Sequence, residues 1–148
     1  MMTERDARLA KHITDLAAAF KVRLSVRKDM PPDLAAAGFS RFTGQRLIKI
    51  APVTGETTYA VALHELGHCL SPMGMLRSEM SKDMRSMNRL TTKRDVALQL
   101  EEERAAWDWA EHYALEWTPA MQAVKKMCLG AYERRAWHVV RIAKGKMR

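Results

Sequence analysis

The five residues His64-Glu65-Leu66-Gly67-His68 constrain this chain more than anything else in its 148 residues. Positions i and i+4 of a helix stand on one face, one turn apart, so both imidazoles can reach a single point. Zinc requires that convergence, with neutral imidazole nitrogens about 2.0–2.1 Å from the ion. Glu65, next to the first histidine, can face a water on such an ion, take its proton and return it to a leaving amine. Chance places an HExxH string in roughly a few per thousand chains of this length. Here it falls where independent signals place a helix. Pro52 ends the segment before it, Thr54 serves as an N-cap, a helix begins near Glu56, and Ser71-Pro72 stops it after Leu70. His64 and His68 are therefore expected metal ligands, and Glu65 the expected catalytic base.

Two histidines leave a catalytic zinc one protein ligand short. Metzincin-type enzymes complete it from HExxHxxGxxH, but Cys69-Leu70-Ser71-Pro72-Met73-Gly74 follows here, with no histidine in register. Cys69 adjoins a ligand and points elsewhere on the helix. The third ligand is thus expected from a second helix, as in the glutamate-type zincins. Thr92, with Asp95 three residues on, signals one that continues to about Leu115. It offers Glu101, Glu102 and Glu103, and periodicity chooses among them. Glu103 shares its face with Val96, Leu100, Ala106, Trp107 and Ala110, with Gln99 the only polar neighbour. Glu101 shares its face with Arg94, Arg104 and Asp108, and Glu102 lies between these cases, beside Asp95 and Gln99. A carboxylate within an apolar stripe is costly to bury unless it binds a cation, so Glu103 is the expected metal ligand.

The string His64-Glu65-Leu66-Gly67-His68 followed by Glu103-x-x-Ala106-Trp107-x-Trp109-Ala110 resembles the ImmA/IrrE family of metallopeptidases. That family pairs HExxH with a downstream ExEANxFA-like helix. Glu103 matches its leading glutamate, Ala106 the alanine, Trp109 the aromatic and Ala110 the last alanine. Ala105 stands where the family has a second acidic residue, and Trp107 where it has asparagine. The resemblance spans roughly residues 54–115. It implies a zinc metallo-endopeptidase, a hydrolase acting on a specific protein substrate of the repressor-like regulator kind.

The rest of the chain reads as an α+β fold, a small antiparallel sheet with a zincin-type helix pair and additional helices, in one domain over 1–148. Leu9, Ile13, Leu16, Ala17 and Phe20 recur at helical spacing between Thr3 and Phe20. Val22, Leu24 and Val26 then alternate with polar residues as in a half-buried strand. Residues 38–50 read as a hairpin, with strands at 39–42 and 46–50 around a turn at Thr43-Gly44. Thr118-Pro119 starts a final helix, which Gly130 is expected to interrupt before the basic end at 141–148. Between the two metal helices, Met73, Met75, Met80, Met84 and Met87 suit a core-filling segment or an adaptable peptide-binding wall. Tyr59, His112, Tyr113, Tyr132 and His138 are the candidate oxyanion donors, Tyr113 first among them.

The N-terminus is charged where a signal peptide needs an apolar core, and no apolar run approaches the roughly 20 residues of a membrane span. Cys69 and Cys128 form no CxxC pair. A reduced, cytoplasmic protein without a membrane partner is expected. The formal charge of +8 permits nucleic acid or an acidic partner through a basic surface. Basic residues are spread along the chain, and no recognised DNA-binding motif accompanies them. Two alternatives therefore stand beside the peptidase of a protein substrate. One is a zinc protease recruited to nucleic acid, the other a non-catalytic basic zinc-binding module. A structural zinc would normally have four protein ligands, and three are found.

Overall fold

A computed structural model describes residues 2–39, 43–71 and 93–146. The first helix, α1, spans Glu4–Ala19 and begins as the sequence predicts. Thr3 Oγ1 accepts from the Asp6 amide at 3.0 Å, while Asp6 accepts from the Thr3 amide, which satisfies two donors of the opening turn. Leu9, Ile13 and Ala17 form its buried stripe. Lys21 adopts φ 58°, turning the chain directly into strand β1, Val22–Val26.

The sheet departs from expectation. Strands β2, Ala35–Phe39, and β3, Arg46–Ile50, pair antiparallel, with Ala35 opposite Ile50 and Phe39 opposite Arg46. β1, however, adds to the other edge of β3 in parallel, giving a mixed sheet of order β1-β3-β2 rather than an antiparallel one. The second strand also lies earlier than the predicted 39–42, in the unpromising run Ala-Ala-Ala-Gly-Phe, and residues 40–42 lie outside the described residues. Ile48 and Ile50 of central β3 point to one face of the sheet and are fully buried in the core shared with α1 and α2.

Helix α2, Glu56–Leu70, has the predicted bounds but a different cap. Gly55, not Thr54, occupies the N-cap, and Thr58 Oγ1 accepts from the amides of Thr54 and Gly55 at 2.9 and 3.1 Å. Tyr59, Ala60, Ala62, Leu63, Leu66 and Cys69 are all buried, so α2 is apolar around most of its circumference. It packs against α1, strands β2 and β3, and two later helices. These are α3, Lys93–Tyr113, and α4, Pro119–Lys146. Thr118 and Pro119 open α4 as predicted, the Met121 amide donating to Thr118 Oγ1 at 3.3 Å. Gly130 does not interrupt it; the helix runs through to Lys146. The methionine-rich segment between α2 and α3 lies outside the described residues. No helix among the described residues is long and apolar enough to cross a membrane.

Candidate metal centre

The site is made by how closely α2 and α3 cross. A Cβ placed on Gly67 would meet the carbonyl carbon and Cα of Ala106 at 2.9 Å, and the Ala106 carbonyl oxygen nearer still. Two small residues at the crossing let the helix backbones touch. One turn before Gly67 stands His64, and one turn before Ala106 stands Glu103, so the contact delivers imidazole and carboxylate to one level.

Glu103 spans both histidines. Its Oε2 lies 2.8 Å from His64 Nε2, and its Oε1 lies 3.0 Å from His68 Nε2. Oxygens shared so evenly need both imidazoles turned by the same edge toward one carboxylate. The second nitrogen of each ring also faces an acid. His64 Nδ1 is 3.4 Å from Glu65 Oε1, and His68 Nδ1 is 3.5 Å from Glu102 Oε1. The three adjacent glutamates therefore divide. Glu101 is exposed, Glu102 backs one histidine, and Glu103, 3% exposed, bridges both.

The indole of Trp107 lies flat on the His64 ring, with centroids 4.2 Å apart and planes 13° apart. The His64 and His68 rings meet edge to face at 4.4 Å. A stacked ring on one side and an imidazole on the other leave His64 little rotational freedom. Sequence reasoning placed Trp107, which is completely buried, on the apolar stripe of its helix. It missed the stacking, although Trp107 is four residues from Glu103 and so on its face. It equally missed that Glu102 faces His68.

The electrostatics favour a cation. Burial raises the Glu103 carboxyl, but hydrogen bonds from His64 and His68, and then their charges, outweigh it and lower it from 4.5 to about 2. Glu103 is thus an anion in a nearly closed site. Among the described residues no lysine or arginine pairs with Glu103 or Glu65. Burial pushes the Cys128 thiol up, and the charges of Glu103 and Glu65 push it further, which marks α4 as the third wall.

Two imidazoles and a carboxylate are a donor set that suits zinc. Tetrahedral ligands about 2.0–2.1 Å from an ion lie roughly 3.3 Å from one another, a few tenths of an ångström beyond the separations seen here. Ligand atoms of His64, Glu65 and His68 also lie within 4.8 Å of one another. Glu65, however, meets His64 at Nδ1, whereas Glu103 meets both rings at Nε2, where the two rings converge. The residues fit a metal held by His64, His68 and Glu103, with Glu65 beside it.

The oxyanion candidates disperse. Tyr113 lies ten residues past Glu103, about 15 Å along α3, where it stacks with Trp109 at 4.5 Å and meets Phe20 edge-on. The Tyr59 hydroxyl accepts from the Leu115 amide at 3.0 Å and bonds His12 Nδ1 at 2.7 Å. His112 and His138 are exposed. Tyr132 is half-buried, one turn beyond Cys128 on the same face of α4. Cys69 and Cys128 are not joined by a disulfide. Compared with protein-family models, curated proteins and solved structures, the chain matches none.

Proposed function

We propose that this chain is a zinc-dependent metallopeptidase, similar in its site to the ImmA/IrrE family, that hydrolyses peptide bonds of a specific protein substrate of the repressor-like regulator kind. The observation that supports it best is the reach of both Glu103 oxygens to Nε2 of His64 and His68 across the α2–α3 crossing. His64, His68 and Glu103 would hold the ion. When bound, zinc supplies a Lewis acid that polarises a carbonyl and brings the pKa of a water toward 7.

The chain's own residues do the rest. Glu65 sits on the same helix turn as His64, mostly shielded from solvent, where a carboxylate can accept a proton and pass it to a departing amine. Trp107 fixes the plane of His64, while Glu65 and Glu102 face the outer nitrogens of the two rings. Such outer partners hold a ligand's tautomer and raise its basicity.

Zinc content of the purified protein tests the proposal, wild type beside Glu103→Ala and Glu102→Ala. Near-stoichiometric zinc lost mainly in Glu103→Ala supports it. Zinc kept in Glu103→Ala but lost in Glu102→Ala moves the ligand by one residue and undoes the alignment with the family. No zinc in the wild type, even after reconstitution, ends it. Against a proteome-derived peptide library, Glu65→Gln should cut hydrolysis by about 10²–10⁴-fold while zinc stays bound. Unchanged hydrolysis in that variant would remove Glu65 from the chemistry.

A further inference from the structure

The sheet gives only one of its faces to the core. Val22, Leu24, Ala35, Ala37, Ile48 and Ile50 turn inward, and α1 and α2 both pack on that side. Side chains alternate along a strand, so the outer face carries Arg23 and Ser25 of β1, Ala36 and Gly38 of β2, and Leu47 and Lys49 of β3. Arg23, Ala36 and Gly38 are exposed there, while Ser25, Leu47 and Lys49 are half-buried.

Three cations surround Ser25 on this face. In the parallel ladder Ser25 stands opposite Lys49, and Arg23 opposite Leu47. The Arg27 amide donates to the Ile50 carbonyl at 2.8 Å, which keeps Arg27 in the ladder and on the face of Arg23 and Ser25. The Cα atoms of Arg23 and Arg27 are thus about 13 Å apart, with that of Lys49 about 8 Å from each. Arg5, Lys11 and Lys125 each pair with a carboxylate at 2.6–2.8 Å. Arg23, Arg27 and Lys49 make no ion pair among the described residues. The three strands contain no acid, and the nearest in sequence, Asp29 and Asp33, are exposed between β1 and β2.

We infer that the outer face of the sheet binds the phosphate backbone of duplex DNA through Arg23, Arg27 and Lys49. Three like charges held together without counter-charges repel one another, and a polyanion relieves that repulsion. A duplex carries one charge per about 1.7 Å of its axis, twice the density of either strand alone. Gripping an unpaired strand calls for a ring to stack on its bases, and the described residues of this face include none. A protein partner calls for an apolar anchor at the centre of its interface, where this face has Ser25. A lipid surface calls for a continuous apolar face, where this one has Leu47 alone. Contacts to phosphate carry no sequence information, so binding is independent of sequence. The metal helix α2 packs on the other side of the sheet, so DNA binding stands or falls separately from peptidase activity.

The test is fluorescence anisotropy of the full chain with two labelled DNA duplexes of unrelated sequence. Oligothymidylate, poly-glutamate and phosphatidylserine vesicles serve as competitors at equal charge. The two duplexes should bind equally, and each competitor should displace them less well than unlabelled duplex does. Arg23→Ala, Arg27→Ala and Lys49→Ala should each flatten the slope of log K against log salt by about 0.9, one phosphate contact apiece. Lys126→Ala, which removes the same charge from an exposed position on α4, should leave that slope unchanged. Circular dichroism should show the fold intact in all four variants. No binding at low salt, a preference for one duplex sequence, displacement by any competitor as efficient as by duplex, or equal slopes for Arg23→Ala and Lys126→Ala would each overturn the inference.

Discussion

Helix α2 carries two polar clusters, and they are built on opposite principles. Near its start, the Tyr59 hydroxyl takes the Leu115 amide and bonds His12 Nδ1. Every group there is neutral, and the cluster ties α1, α2 and the α3–α4 connection together. Towards its other end, His64 and His68 meet Glu65, Glu102 and Glu103. Glu103 there is an anion, held between two imidazoles in a site mostly closed to water. Burying a histidine is thus no sign of a metal by itself. A neutral cluster closes on its own hydrogen bonds, whereas a buried carboxylate among imidazoles is the setting in which a cation would be favoured.

Zinc should separate the two clusters most sharply. Free zinc at a thousand times its Kd stabilises a folded site by about 4 kcal/mol, roughly 10 °C in Tm for a chain this size. That rise is expected in wild type and in Tyr59→Phe and is expected to vanish in Glu103→Ala. A Glu103→Ala protein that still gains the full rise would place the cation elsewhere. Next comes Gly67→Ala. Because the obstacle is the Ala106 backbone, the helices must part, costing about 3 kcal/mol in calorimetry and weakening zinc together with the fold. Unchanged stability would show that the crossing is looser than it looks.

Smaller effects distinguish outer partners from direct contacts. Glu102→Gln should weaken zinc by about 10–100-fold, measured by competition with a chelator, without abolishing binding. Tyr59→Phe should cost about 1–3 kcal/mol by leaving the Leu115 amide without its acceptor, with zinc affinity untouched. If Tyr59→Phe also weakened zinc, the two clusters would be coupled through α2 and the contrast between them would fail.

The helices and the burial of Glu103 were legible in the sequence because both rest on local periodicity. Thr3, Thr118-Pro119 and the apolar stripe of α1 each announce a helix within one or two turns of chain. Glu103 was selected from three glutamates because an acid among Val96, Ala106 and Ala110 has to be buried. Pairings remote in sequence were not legible. Nothing between Val22 and Val26 says that this strand joins β3 in parallel, and Ala35–Phe39 lacks the β-branched residues that mark a strand. The roles of Glu102 and Trp107 depend on the depth at which two helices cross. The signal for that depth, Gly67 facing Ala106, becomes readable only once the helices are known to touch.

The smallest effect is the most specific test of neutrality at the Tyr59 cluster. Burial lowers the His12 pKa below 6.5, against a weaker upward pull from Asp15. The neutral ring can accept the Tyr59 hydroxyl proton at Nδ1, whereas a protonated ring would leave that proton without this acceptor, so the neutral ring is the form the fold holds. With the folded value below the unfolded one, His12 contributes stability that is fully present above about pH 6.5 and is lost as the pH falls through the folded value. Zinc binding also weakens in acid, because its ligands must shed protons. The comparison is therefore made without zinc, between wild type and His12→Gln, in chemical denaturation from neutral pH downward. Wild type should lose more stability than His12→Gln as the pH drops below 6.5. Equal losses would mean that His12 takes up its proton without strain and that this cluster, too, tolerates charge.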